Sequence, residues 1–299
     1  AGARIASAEE CWAAGLVVKV KEPLPSEYRF FRKDLVLFTY LHLAAVAGLA
    51  EEIRKSGMTA VAYEMVQLDD GSLPLLAPMS EVAGRIGAVM AAALLLKHNG
   101  GRGLIPGGVP GVGRARFVIV GAGVAGSAAV QYAVGMGADV TVLDVSLPRL
   151  RFLEELYESR ITTLHSNRRN LARAVAEADA VISTVLIPGA RAPHLITEAM
   201  VTSMAPGSVI VDIAIDQGGS VETVDRPTTH DEPTYLRHGV LHYAVANMPG
   251  TAPRTSTFAL SNATFPYVRL LADQGKGAFR TSPALERGRV RFDAPPETP

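Results

Sequence analysis

The chain has 299 residues, 48% of them apolar, and its 29 basic side chains are cancelled by 29 acidic ones. This length and apolar content suit two folded units of ordinary size and exclude a disordered chain. The neutral balance leaves no electrostatic case for nucleic acid or an anionic membrane as partner. Cys11 is the lone cysteine, so no intramolecular disulfide is possible, and no Cys/His spacing suggests a metal site. Both points fit a reducing, cytoplasmic setting. The apolar stretch 86–96 is too short for a membrane span, which needs about 20 residues. The opening residues Ala1 to Arg4 show no signal-peptide pattern.

In chain order, the first quarter reads as a strand over 16–20, a loop with Pro23 and Pro25, and a strand over 36–40. A helix over 45–55 and a strand over 60–63 follow. Ser80 is a candidate N-cap for a long helix through residue 96. From residue 116 the pattern becomes strictly alternating. Strands over 116–120, 139–143, 161–164, 180–185 and 208–213 are separated by helices over 124–136, 148–158, 171–177 and near 197–204. Strand and helix in alternation at this spacing predict a doubly wound parallel sheet, with right-handed crossovers placing helices on both faces. A long helix is predicted over about 255–274, ending at Gly275, and the charged, proline-rich stretch 287–299 is expected to fray. The flanks resemble each other in style more than they resemble the centre. They predict a discontinuous outer domain, 1–79 with 253–299, around a central domain at 80–252.

The strand RFVIV runs directly into Gly121-Ala122-Gly123-Val124-Ala125-Gly126 and then into a helix. A glycine pattern of this kind is weak alone, but strand before and helix after is the context that gives it meaning. Gly121 permits the tight turn, Gly123 lets a pyrophosphate approach the backbone, and Gly126 lets the helix pack on the strand. The helix N-terminus offers free N–H groups to the phosphates. Asp144 closes the next strand, where a carboxylate can bind both ribose hydroxyls and repel a 2′-phosphate, favouring NAD over NADP. Arg149 nearby complicates that choice. The central domain is therefore expected to be of Rossmann type, α/β, and to hold NAD.

Several strings outside this motif are distinctive: KVKEPLPSEY (19–28), LFTYLHLAA (37–45), DGSLPLLAPMSEVAGR (70–85), GGVPGV (107–112), VDIAIDQGG (211–219), RPTTHDEPTY (226–235), HYAVANMPG (242–250) and RTSTFALSNAT (254–264). Through them the chain resembles the alanine dehydrogenases along almost its whole length. The resemblance implies two dinucleotide-fold-like domains with an active site in the cleft between them. It also implies NAD-dependent, reversible conversion of L-alanine to pyruvate and ammonia, and a homohexamer. The soluble NAD-binding subunit of transhydrogenase shares the architecture but lacks the KVKEP and LHLAA pattern.

Hydride loss from the substrate α-carbon gives an imine that water attacks, and a histidine suits the proton transfers near neutral pH. His42 matches the family's catalytic histidine, although an isolated histidine of this kind is more often a packed core residue. Lys21 matches the lysine that holds the substrate's carboxylate or carbonyl oxygen, leaving Lys19 as the expected solvent-facing member of the pair. Asp216 follows an apolar strand at its carboxyl end, where open parallel sheets place ligands. There it could orient the attacking water or balance a cation; otherwise it is a turn aspartate before Gln217-Gly218-Gly219. By motif, Ser80 and Ser166 are expected cofactor contacts, Val185 and Leu186 an apolar wall beside the cofactor, and Met248 a substrate neighbour. Ile213, Val245 and Asn247 complete the expected cofactor set.

The resemblance also implies a strand–helix–strand segment ahead of the stretch that matches Ala1, containing an arginine that grips the substrate carboxylate. The outer domain is accordingly expected to be incomplete, with an exposed sheet edge and weakened turnover. Met65 and Ser220 stand where the family usually has threonine and cysteine, and little is expected from either. The alternative to an enzyme is a remnant that binds NAD(H) without turning anything over.

Overall fold

The computed structural model describes residues 2–43, 46–185 and 193–292. The chain divides into two compact units, Ala1–Pro78 with Phe258–Pro299, and Met79–Thr257.

The first unit opens with the short helix α1 (Ala8–Trp12), capped reciprocally by Ser7 and Glu10. Strands β1 (Leu16–Val18), β2 (Val36–Thr39) and β3 (Thr59–Ala62) form a parallel sheet in the order β1-β2-β3. Helix α2 (Leu49–Ser56) returns the chain from β2 to β3. It buries Leu49 and Ile53, four residues apart on one face, and stops at Gly57, whose φ of +66° is the left-handed end that glycine accommodates. Ala45, where this helix was expected to begin, lies outside the described residues, and Gly48 at φ +82° delays the start to Leu49. Trp12, Leu35, Leu37, Leu41, Leu49 and Ile53 form this unit's core. Each side chain of that kind contributes about 1.5–3 kcal/mol when fully buried.

Helix α3 (Ala77–Leu94) begins four residues earlier than an N-cap at Ser80 would place it. Ser80 therefore lies within its first turn and is not an N-cap. Pro78 was the better signal, because a first-turn proline sacrifices only an N–H that has no helical partner.

The second unit is built on strands β4 (Arg116–Val120), β5 (Asp139–Asp144), β6 (Ile161–His165), β7 (Ala180–Ser183), β8 (Val209–Asp212), β9 (Thr234–Arg237) and β10 (Val240–Tyr243). Their order is β6-β5-β4-β7-β8-β10-β9, parallel except for the antiparallel pair β10–β9 at the edge. This is the mixed α/β, Rossmann-like sheet expected. The reversal of direction between β5–β4 and β4–β7 is the switch point at which such sheets bind ligands.

Helices α4 (Val124–Gly135), α5 (Leu147–Tyr157), α6 (Arg168–Glu177) and α7 (Glu198–Thr202) are the expected crossovers. Along the strands, alternate residues enter two cores. Phe117, Ile119, Val140, Val142 and Ile182 face one, and Val118, Val120, Leu143, Val181 and Ile210 the other. That is why these strands read as continuous apolar runs.

The hairpin β9–β10 was not foreseen, since its strands are short and contain Arg237 and His242. Helix α8 (Pro253–Gln274) carries the chain into the C-terminal segment with Pro266 in its interior, and α9 (Ala278–Thr281) and α10 (Pro283–Gly288) follow.

Candidate functional site

At the carboxyl end of β4 the chain turns through Gly121 at φ +105°. A Cβ on Gly126 would stand 1.8 Å from the Gly121 carbonyl oxygen, so the first turn of α4 lies directly on the strand end. Gly123 differs: a Cβ there would meet nothing within 4 Å, and no side chain caps the helix. The leading N–H groups of α4 are thus open to an anion, as a dinucleotide's pyrophosphate requires. Val124 is exposed on the first turn. The carbonyl of Ala125 lies so close to α3 that a Cβ on Gly84 would be 2.1 Å away, which fixes the helix bearing Ser80 against α4.

Asp144, at the end of β5, accepts the Ala122 N–H at 2.6 Å on one oxygen and the Ser146 N–H at 2.7 Å on the other. Each oxygen keeps a further lone pair for a ribose hydroxyl. Ser166 is drawn to the same place, its N–H donating to the Asp144 carbonyl at 2.9 Å. The Arg149 guanidinium donates to the Ala122 carbonyl at 3.5 Å. It borders a cavity of about 720 Å³ with Ser146, Arg85 and Phe152. The donors and the open turn fit an NAD-type dinucleotide.

Val185 packs against the glycine turn, 3.3 Å from the position of a Gly121 Cβ, while Leu186 lies outside the described residues. Ile213 packs on α3 at Gly87. Val245 and Met248 are 1% and 2% exposed and belong to the core. Asp216 is exposed at the tip of the loop after β8. Both of its oxygens accept the Asn247 N–H at 3.2 Å, holding Asn247 in a left-handed conformation at φ +55°.

In the first unit, His42 stands just beyond β2 at φ +46°, a conformation that costs a non-glycine residue free energy unless its surroundings impose it. Glu64, just beyond β3, imposes it. Its carboxylate accepts the His42 N–H at 2.7 Å and the Leu41 N–H at 3.0 Å. The imidazole stacks on Tyr40, and its Nδ1 lies 3.1 Å from Glu22. Burial pushes the Glu22 carboxyl up, but its own backbone N–H, His42 and Lys21 outweigh that and leave it below the ordinary glutamate range. An ionised Glu22 can only accept, so Nδ1 carries the hydrogen of this contact; in the neutral imidazole Nε2, which has no hydrogen-bond partner among the described residues, is then the acceptor. The Tyr40 hydroxyl donates to the Leu75 carbonyl at 2.5 Å, and burial raises its pKa, keeping it a donor.

Lys21 is exposed and forms no ion pair among the described residues. Its carbonyl accepts the Thr39 hydroxyl at 3.0 Å, tying this segment to β2. The expectation for Lys19 is overturned. It is the half-buried member of the pair, ion-paired to Glu27 and set over the Trp12 ring. Strand alternation cannot separate the two lysines, because both follow the last residue of β1 and have the same parity. Glu22 and Glu64 were missed altogether. The available signal was a carboxylate just past each of two parallel strands, at the end where such sheets place their ligands.

The family described as "Alanine dehydrogenase/PNT, N-terminal domain" matches residues 1–83, and "Alanine dehydrogenase/PNT, C-terminal domain" matches residues 87–293. A protein of Bacillus subtilis named "Alanine dehydrogenase" is 59% identical over 302 residues, with 98% of this chain and 80% of that protein covered. One of the same name from Geobacillus stearothermophilus is 55% identical, covering 93% and 75%. A solved structure titled "L-alanine dehydrogenase" aligns with a TM-score of 0.90 at 51% identity, over 97% of this chain and 81% of the other. The structure of a transhydrogenase from Sinorhizobium meliloti aligns with a TM-score of 0.73 at 26% identity, over 89% and 77%.

Proposed function

The chain belongs to the alanine dehydrogenase/PNT family, and from that membership we propose that it is an NAD-dependent alanine dehydrogenase, converting L-alanine to pyruvate and ammonia and back. NAD, bound at the Gly121–Gly126 turn with its ribose on Asp144, supplies the hydride acceptor. Cofactor binding falls to the domain 80–252, which also carries Asp216, and the substrate-facing His42 and Lys21 belong to the outer domain, 1–79 with 253–299. Ser80, Ser166, Val185, Ile213 and Asn247 complete the proposed cofactor set, whereas Val245, expected beside the cofactor, and Met248, expected beside the substrate, are 1% and 2% exposed and serve as core residues that support Asn247 from either side in sequence.

In the forward direction, loss of hydride from the α-carbon leaves the substrate as an imine. The Nε2 of His42 takes a proton from the water that attacks that imine and returns it to the nitrogen of the resulting carbinolamine; as ammonia is expelled and the carbonyl forms, Nε2 takes the remaining hydroxyl proton and passes it to solvent. A general base so used supplies about 10²–10⁴-fold in rate. Lys21 faces the substrate's carboxylate or developing carbonyl oxygen with a positive charge, favouring the charge-separated transition state. Asp216 orients the water and offsets positive charge on the imine.

One observation carries the reading: a histidine held at a strained φ by Glu64, with Nδ1 on Glu22 and Nε2 without a partner among the described residues. A module that only binds cofactor has no use for such a group, which favours turnover over binding alone. Family resemblance extends the proposal to a cytoplasmic homohexamer, to be checked by light scattering of the purified protein. The functional test is alanine-dependent reduction of NAD, together with NADH fluorescence titration of His42→Ala. Turnover in the parent, abolished in the variant while NADH affinity persists, is expected. A parent that binds NADH yet never oxidises alanine sinks the proposal, and so does a variant that still turns over.

A further inference from the structure

Asp212, the last residue of β8, is fully buried and forms no ion pair among the described residues. Four donors surround it instead. One carboxylate oxygen accepts the Ala214 N–H at 3.0 Å and the Ser220 hydroxyl at 3.1 Å; the other accepts the Ser220 N–H at 2.8 Å and the Val221 N–H at 3.2 Å. Ala214 begins the excursion that leaves β8, and Ser220 and Val221 end it. Gly218 and Gly219, at φ +92° and +74°, turn the chain back between them, and a Cβ on Gly219 would press to 3.0 Å from the carboxylate. At the tip of this closed loop stands Asp216.

We propose that Asp212 is a positioning residue for the dehydrogenase reaction, its carboxylate stapling both ends of the 213–221 loop so that Asp216, and through it Asn247, are held in place. The inference rests on the function proposed above, in which Asp216 acts on the reacting groups. The staple is also anchored to the phosphate turn. The Ser220 hydroxyl gives its hydrogen to Asp212, so Ser183 must donate to Ser220, at 2.6 Å. The next residue, Thr184, donates its hydroxyl to the Val120 carbonyl at 2.9 Å, immediately before Gly121. Burial raises the Asp212 pKa, and the four hydrogen bonds from Ser220, Ala214 and Val221, which favour the carboxylate, oppose that rise.

Neither an amide nor a methyl can replace this group. Asn at 212 turns its NH2 toward at least one buried backbone N–H whichever way it is flipped, and Ala leaves three such N–H groups without an acceptor. Displacement of a reacting group by about 1 Å costs on the order of 100-fold in rate.

The experiment compares the full-length parent with Asp212→Asn, Asp216→Asn and the double variant, measuring kcat, KM for alanine, NADH affinity and thermal stability. The expected result for Asp212→Asn is a fall in kcat of about 10- to 100-fold, with NADH affinity within about threefold of the parent. In the Asp216→Asn background the same change adds no further loss, since it acts through Asp216. If Asp212→Asn does not fold, Ser220→Ala serves instead. It removes one donor, and a smaller loss of about three- to tenfold, equally absent in the Asp216→Asn background, is expected. An unchanged kcat, or losses that multiply in the double variant, overturns the positioning role. A parent inactive toward alanine overturns the functional reading itself, and the two failures are told apart by the parent alone.

Discussion

Replacing Gly123 by alanine adds a single methyl group to the turn between β4 and α4, and the structure fixes what that methyl can meet. At φ −70° and ψ −166° an L residue is unstrained, and nothing of the protein lies within 4 Å of the new carbon. Stability should therefore hold or rise by up to about 1 kcal/mol, because alanine has less freedom to lose than glycine. The midpoint of thermal unfolding then rises by at most about 4 °C. The methyl does occupy the approach to the first N–H groups of α4. Losing one hydrogen bond to a charged phosphate costs about 1.5–3 kcal/mol, which weakens NADH by about 10- to 150-fold.

Gly126→Ala is the control with the opposite sign. Its Cβ would lie 1.8 Å from the Gly121 oxygen and 2.7 Å from the Gly121 carbonyl carbon, both backbone atoms that cannot rotate away. The helix must move, at a cost of about 3 kcal/mol or more, lowering the unfolding midpoint by about 6–12 °C. Circular dichroism melts and NADH fluorescence titrations report both quantities. A Gly123→Ala protein that binds NADH like the parent refutes the idea that a pyrophosphate comes up to this backbone, and a Gly126→Ala protein of parental stability refutes the packing argument.

Two further outcomes follow from other parts of the structure. Lys21→Ala should lower kcat/KM for alanine by about 100-fold or more without changing the melting midpoint, whereas Lys19→Ala, which frees Glu27 and uncovers Trp12, should lower the midpoint and spare kcat; steady-state kinetics with parallel melts would expose a reversal. His242 is fully buried, its ring bonded to Thr223 and to the Val240 carbonyl, and burial lowers its pKa below the ordinary 6.5. Below pH 6.5 the unfolded chain therefore takes up a proton that the folded chain refuses. Stability should fall with decreasing pH from there to the folded-state pKa, by up to about 1.4 kcal/mol per pH unit. Denaturant titrations at pH 7, 6 and 5 should show this slope flattened in His242→Gln; equal slopes would acquit the histidine.

The glycine turn was legible because its requirements are steric and local. A strand of β-branched residues, a residue with positive φ and a helix packed without a Cβ leave a signature six residues long. The alternation of strands and helices through β8 was legible for a similar reason, since strands buried on both faces must be apolar throughout. His42, Lys21 and Asp216 were reached by resemblance, because nothing local separates a histidine after a strand from an ordinary core histidine.

Where the local signal was ambiguous, long-range packing decided. Lys19 and Lys21 are equivalent by parity, and only Glu27 and Trp12, brought in by chain folding, made Lys19 the paired one. Glu64 holds His42 across 22 residues and Glu22 holds it across 20, while Asp212 closes a loop whose glycines alone announced a turn. The sequence by itself determined the period of its elements and the points where a side chain is forbidden, since those depend on a residue and its near neighbours. Which carboxylate meets which N–H depends on how distant strand ends come together, and that was decided only by the tertiary structure.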